Sequence, residues 1–286
     1  MKKSTLFKLG KQSVKLFSEN TDFLKDMEDL LLPFLKKDNN EDGNTSFRAL
    51  FPAKEKGGHS LYAILRDGKE VFQTDEPFRL VFRLEWLIVK LLLQGIDFLQ
   101  FHSGVAAKDG KAILFPAEAN SGKSTLTVAL SQAGFQIYSD EVALIDPDSF
   151  LVTPFPRNIH IDEDMKEVFS RLGYDLKFRN FRWKELEGDN LEFPWRKLAR
   201  SRKKESKARL IIFPKYSPKH ANRLQPVTSG EAFARILENE INFNRFRAKG
   251  MDIVEGLLKG ADCYRLETGD LSEAAALIKE LFDSLN

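Results

Sequence analysis

Residues 114–125 read LFPAEANSGKST, and the reading of the chain turns on whether they form a phosphate-binding loop. Gly122, Lys123, Ser124 and Thr125 match the end of the Walker A pattern G-x-x-x-x-G-K-[ST]. Such a loop works because backbone N–H groups and a helix N-terminus point at the anion, while the lysine neutralises charge and the hydroxyl ligates magnesium. The first glycine of the pattern is replaced here by Ala117, and Asn120 occupies a further loop position. Asn adopts left-handed backbone conformations at low cost, so Asn120 is a fair substitute for glycine. Ala117 suits a position that needs a small side chain at negative φ. Glu118 fits only with its carboxylate turned away from the phosphates. With Ala119 and Ser121, these residues make 117–125 the candidate ATP-binding loop. The plain alternative is a Ser/Gly-rich turn capping a helix.

The flanks favour the loop. Upstream, FLQFHSGVAAKDGKAILFPA (98–117) reads as a hairpin around Asp109-Gly110. A two-residue turn pairs Lys108 with Lys111, and the same register carried back sets His102 opposite Ala117. Downstream, 123–133 reads as a helix closed by Gly134. FQIYSDEVALID (135–146) then reads as a strand with Asp140 and Glu141 in its middle. Successive carboxylates on a regular strand face opposite sides of the sheet. Unpaired buried carboxylates are rare, so the strand ends or bends there, or both acids face a cation or a polar site. Phosphoryl transfer calls for such a pair, one acid to hold magnesium and one to take the proton of the attacking hydroxyl.

From 99 to 157 the chain resembles the HPr kinase/phosphorylase family and its related kinases. The resemblance is carried by FHSGVAAKDGKAILFPAEANSGKSTLTVALSQAGFQIYSDE (101–141), by the steps from His102 to Lys123 and from Lys123 to Asp140, and by PFPR ending at Arg157. YRLETGDLSEAAALIKEL (264–281) resembles the same branch more faintly. The resemblance implies an α/β fold: an HPr-kinase-like mixed-sheet P-loop core, shared with phosphoenolpyruvate carboxykinase, over 99–286. A small α/β N-terminal region of unassigned role covers 1–98.

The resemblance also implies ATP and Mg2+. Lys123 would contact the β- and γ-phosphates, Ser124 would ligate the metal with Glu141 and Asp140, and Asp140 would be the general base. His102 matches the histidine beside the phosphates, and Arg157 is a candidate for stabilising charge on the transferred group. Glu141 stands where a second aspartate is usual. The glycine-rich segment around Glu-Ile-Arg that marks enzymes acting on HPr is missing, so the expected acceptor is a serine hydroxyl on another protein or peptide. A small-molecule acceptor (free serine or another metabolite hydroxyl) and an ATP-binding scaffold without phosphotransfer are the alternatives.

The length of 286 residues allows one large domain or two modest ones, and a net charge of +2 gives no nucleic-acid footprint. The single cysteine, Cys263, excludes a disulfide framework or a cysteine metal site and reads as a small buried residue. The basic N-terminus lacks the apolar run of a signal peptide, and LEWLIVKLLLQGIDFLQF (84–101) is interrupted by Lys90, Gln94 and Asp97. A cytoplasmic protein without a membrane span is expected, its oligomeric state open. In the N-terminal region, 22–36 carries a helical pattern capped at Thr21 or Asp22, SLYAILRDGKEVFQT (60–74) is a hairpin around Asp67-Gly68, and a helix runs from 77 to 94. WRKLARSRKKESKAR (195–209) is strongly basic and reads first as a solvated insertion, second as a docking surface for an acidic partner. His59, His160 and His220 show no metal-ligand spacing. INFNRFR (241–247) reads first as helix packing, second as the lining of a substrate groove.

Overall fold

The computed structural model describes residues 3–36, 42–52, 61–118, 121–155, 157–161, 166–171, 173, 181–186, 191–193, 205–217 and 221–285. The chain divides into two compact units, 1–97 with 179–189, and 98–178 with 190–286. Both mix helices with strands. Among the described residues no helix is long and apolar enough to cross a membrane.

The first unit holds a six-stranded sheet in the order β3-β1-β2-β4-β5-β6. Its strands are β1 (Lys3–Leu9), β2 (Gln12–Ser18), β3 (Leu35–Lys36), β4 (Thr45–Leu50), β5 (Tyr62–Arg66) and β6 (Lys69–Thr74). β1 and β2 form a hairpin over Gly10, whose φ of 56° meets the turn's need for a left-handed residue. At the β5–β6 turn both Asp67 (φ 48°) and Gly68 (φ 82°) are left-handed, the geometry that a two-residue Asp-Gly turn favours. Helix α1 (Thr21–Leu30) and helix α2 (Pro77–Leu93) pack on this sheet and on each other. On α2, Leu80, Leu84, Ile88 and Leu92 recur at four-residue steps and are all fully buried.

Helix α1 is shorter than its apolar pattern predicts. The Asn20 side chain, rather than Thr21 or Asp22, accepts the Phe23 N–H at 3.0 Å and caps it. At the other end Pro33 can neither donate an amide proton nor fit against the preceding turn. The chain tightens into a 3-10 turn, Leu32–Phe34, and Leu35 and Lys36 pair with β1 instead.

The second unit is built on one mixed sheet, ordered β11-β10-β7-β8-β14-β16-β15, with β9 also on β7. The strands are β7 (Leu99–Lys108), β8 (Lys111–Pro116), β9 (Gln136–Ser139), β10 (Val142–Ile145), β11 (Val152–Thr153), β14 (Lys207–Tyr216), β15 (Arg223–Pro226) and β16 (Asp262–Thr268). β14 runs parallel to both β8 and β16, while β7 is antiparallel to β8, β9 and β10. β12 (Ile159–Ile161) and β13 (Leu191–Phe193) form a separate ribbon. Among the described residues its helices are α3 (Lys123–Gln132), α4 (Lys166–Arg171), α5 (Ser229–Glu238), α6 (Phe243–Phe246), α7 (Ala248–Lys259) and α8 (Leu271–Ser284).

Alternation along the strands divides the core. Ile113, Phe115, Leu210 and Ile212 bury against α3 and α8, through Leu126, Leu130, Ile278 and Phe282. Leu114, Ile211 and Phe213 bury against α5 and α7, through Ile236, Ile253, Val254 and Leu257. The sheet is thus covered on both faces, and α3 is held under β7 and β9. Gly104 sets how closely α3 approaches β7, because a Cβ there would lie 2.5 Å from Thr127 Oγ1. We expect Gly104→Ala to destabilise the protein by about 1–3 kcal/mol through overpacking. In a double-mutant cycle of urea midpoints, Thr127→Ala should recover part of that loss, and strict additivity would contradict the contact.

Candidate active site

The Asp109-Gly110 turn takes up φ values of 52° and 75°, and pairing runs from Lys108↔Lys111 to Ser103↔Pro116 in the expected register. It stops there, one pair short of His102 and Ala117. Pro116 lies opposite Ser103, whose N–H serves the other edge of β7, and beyond this pair the chain leaves the sheet for the loop. Past that point β7 acquires another partner. The His102 N–H donates to the Asn239 carbonyl at 2.7 Å, and the Ile241 N–H donates to Gln100 O at 3.0 Å. The Asn242 side chain accepts the Gln100 N–H and donates to Phe98 O, both at 2.9 Å. The INFNRFR segment is therefore a clamp on the first half of β7 as well as the start of α6.

Along its other edge β7 pairs with β9 and then with β10, and the acidic pair falls between them. Ser139 makes this break. Its hydroxyl accepts the N–H of Glu141 at 3.2 Å and of Val142 at 2.9 Å, competing with regular ladder bonds. The strand read over 135–146 is thus two strands that part at the acidic pair, the break that two successive carboxylates called for, and the two acids need not face opposite sides. Asp140 is buried at 6% exposure, while Glu141 is partly exposed and its Oε1 lies 3.3 Å from His102 Nδ1.

The loop between Pro116 and Lys123 leads directly into α3. Ala117 is buried and Glu118 is exposed. Ala119 and Asn120 lie outside the described residues. Gly122 has φ 89° with open space around it, so the need for glycine there is one of backbone conformation and not of room. Among the described residues no side chain caps α3 at Gly122, and the Ser121 hydroxyl is buried with no hydrogen-bond partner. Ser124 and Thr125 are partly exposed in the first helical turn.

Lys123 is 5% exposed, and its Nζ donates to Glu118 O at 2.5 Å. Burial pulls its pKa below the usual lysine value, against the opposing pull of Glu141, Asp140 and Glu118. Burial likewise lowers the pKa of His102; Glu141 opposes the shift and Lys123 reinforces it. One lysine, one imidazole and two carboxylates therefore interact across the start of α3 and the two broken edges of β7. Arg157 is partly buried on the segment entering β12, a strand that packs against α3.

Among the described residues no three His, Cys, Asp or Glu side chains gather closely enough to hold a metal by themselves. Ser124, Asp140 and Glu141 are all oxygen donors, the chemistry magnesium prefers. Magnesium is commonly held by one or two carboxylates with substrate phosphates supplying the remaining oxygens. The donor set fits that mode. Of the basic 195–209 segment, 195–204 lie outside the described residues; Arg209 is engaged by Asp262 at 2.6 Å. His59 and His220 also lie outside them, and His160 is on β12. Cys263 is partly buried, and burial pushes its thiol pKa up to about 11, which leaves it a poor nucleophile.

No family model matches this sequence. No curated protein matches it either. Among solved structures it is similar to the HPr(Ser) kinase/phosphatase from Coxiella burnetii, at 16% identity and a TM-score of 0.30 over 65% of this chain and 94% of that one.

Two outcomes follow for the site. Ser139→Ala should cost about 1–3 kcal/mol, because two amides lose their acceptor, and Ser139→Thr should cost less. Urea denaturation that ranks the two variants equally would deny the hydroxyl its place in the break. Because the folded protein holds the His102 pKa down, its imidazole should titrate below 6.5 in an NMR titration. The unfolded chain then binds that proton more readily, so stability contributed above pH 6.5 falls away on acidification.

Proposed function

We propose that residues 99–286, apart from the 179–189 segment that belongs with the first unit, form a phosphate-loop kinase domain that transfers the γ-phosphoryl group of ATP to a hydroxyl, with 1–98 as a region of its own. The observation that carries this reading is buried Lys123 at the first turn of α3, within electrostatic reach of Asp140, Glu141 and His102. A cation at a helix N-terminus opposite two carboxylates suits an anion on one side and a metal or proton on the other.

In this reading backbone amides of the loop and of the first turn of α3 receive the phosphates, with Lys123 leaving Glu118 O to contact the β- and γ-oxygens. Ser124 and Glu141, with Asp140, would hold magnesium, which when bound neutralises charge on the β- and γ-phosphates. Asp140 takes the proton of the acceptor hydroxyl as its oxygen attacks the γ-phosphorus. The bond between that phosphorus and the β–γ bridging oxygen breaks, and ADP leaves. Glu141 holds the His102 ring beside the phosphates, and Arg157 is assigned to the transferred group. The acceptor we favour is a serine on a protein or peptide, with free serine or another metabolite hydroxyl as the second choice. A binding scaffold without transfer has less use for a buried base such as Asp140.

Lys123→Ala should abolish both nucleotide binding and transfer. Asp140→Asn should leave ATP bound with an affinity within about threefold of wild type while lowering transfer by about 100-fold or more. Incubation with γ-labelled ATP and a lysate of the source cells reads transfer, and calorimetry reads binding. Full transfer by Asp140→Asn would remove the base, and ATP binding with no labelled product in any fraction would favour the scaffold.

A further inference from the structure

Residues 181–186 belong to the first unit, although α4 and β13, which precede and follow them, belong to the second. They add no strand to the six-stranded sheet. They form a short segment ending in one 3-10 turn, Lys184–Leu186, in which Trp183 and Leu186 are each 4% exposed while Arg182, Lys184 and Glu185 are open to solvent.

The partners of this segment are specific. Trp183 meets Phe23, Phe51 and Tyr62 edge to face, at centroid distances of 5.4, 5.1 and 5.7 Å. Asp26 of α1, at 1% exposure, accepts the backbone N–H of Arg182 at 3.1 Å and of Trp183 at 2.9 Å. The opening amides of a helical turn have no acceptor of their own, and here a carboxylate from a distant helix supplies one. At the margin the Arg182 guanidinium reaches Asp29 at 2.8 Å, and the Tyr62 hydroxyl donates to Glu185 at 2.5 Å. Burial and that carboxylate together raise the Tyr62 pKa, so the phenol stays a donor.

Buried apolar anchors ringed by polar pairs, with a tryptophan at the centre, are the anatomy of a protein–peptide interface. We propose that α1, Phe51 and Tyr62 form a peptide-binding site whose resident ligand is this chain's own segment 182–186, read as Arg-Trp-x-Glu-Leu. Asp29 reads the arginine, Asp26 reads two main-chain amides, the aromatic ring reads the tryptophan and Tyr62 reads the glutamate. Among the described residues the segment is held by side chains, the Asp26 and Asp29 carboxylates among them, and by no strand pairing, so its release would leave the sheet intact. A ligand tethered in cis has an effective concentration of about a millimolar, so free peptide fills the site only once the tethered copy is disabled.

Hydrogen exchange on the full-length chain is the first test. The amides of Arg182 and Trp183 should exchange about tenfold or more faster than those of β1 and β2. Equal rates would make the segment integral core and overturn the proposal. In the second test a labelled peptide of residues 179–189 is titrated into full-length Trp183→Ala, where it should bind about tenfold or more tightly than to wild type. Adding Asp26→Asn should remove that binding. Failure to bind a Trp183→Ala chain that keeps its circular dichroism also overturns the proposal, and if that variant unfolds, hydrogen exchange decides alone. Concentration-dependent dimerisation of the wild type through this segment would make a second copy the occupant and refute the assignment in cis.

Discussion

Everything at the candidate site depends on β7 losing both neighbours at the same level. On one edge the ladder to β8 ends at Ser103↔Pro116. On the other, the run from β9 to β10 breaks at Asp140 and Glu141, beside the same short stretch of β7. A buried backbone cannot leave its polar groups unpaired, so each gap has to be closed. The 239–242 segment closes the first, and Ser139 with the Ser103 N–H to Glu141 O bond of 3.0 Å closes the second. What remains at this level is His102, the acidic pair, and a loop freed from the sheet to start α3.

That arrangement places charge where charge is expensive. Lys123 is nearly buried, and desolvation favours its neutral form, with the nearby carboxylates opposing that shift only in part. Interactions among such groups are stronger than on the surface, because less water screens them. Gly104 contributes by omission: without a side chain it lets α3 lie close to β7.

The parts legible in the sequence are those governed by local chemistry. Asp109-Gly110 and Asp67-Gly68 each specify a two-residue turn, and that alone set the β7–β8 register through Ser103↔Pro116. The helix expected over 77–94 is α2, and Gly134, at φ 87°, closes α3 as a terminal glycine does. Where the reading fell short, the deciding partner was distant in sequence or weak as a local signal. Asn242 lies in a stretch read as helix packing, and nothing local marks its bonds to Gln100 and Phe98. Trp183 sits in a charged stretch that carries no periodicity. Ser139 was visible before the acidic pair, but a serine within a strand pattern does not announce that it will take two amides. Pro33 was the missed local signal, a helix breaker inside an otherwise helical apolar pattern.

The split of the first unit between 1–97 and 179–189 also constrains how the chain comes into being. During synthesis the N-terminal sheet and its two helices emerge as a set, with the place for Trp183 still vacant. At about 5–20 residues per second, the ribosome needs on the order of 5–20 s more to deliver the segment that fills it. For that interval the faces of Phe23, Phe51 and Tyr62 are open to other hydrophobic chains, and a nascent-chain chaperone has a defined site to shield.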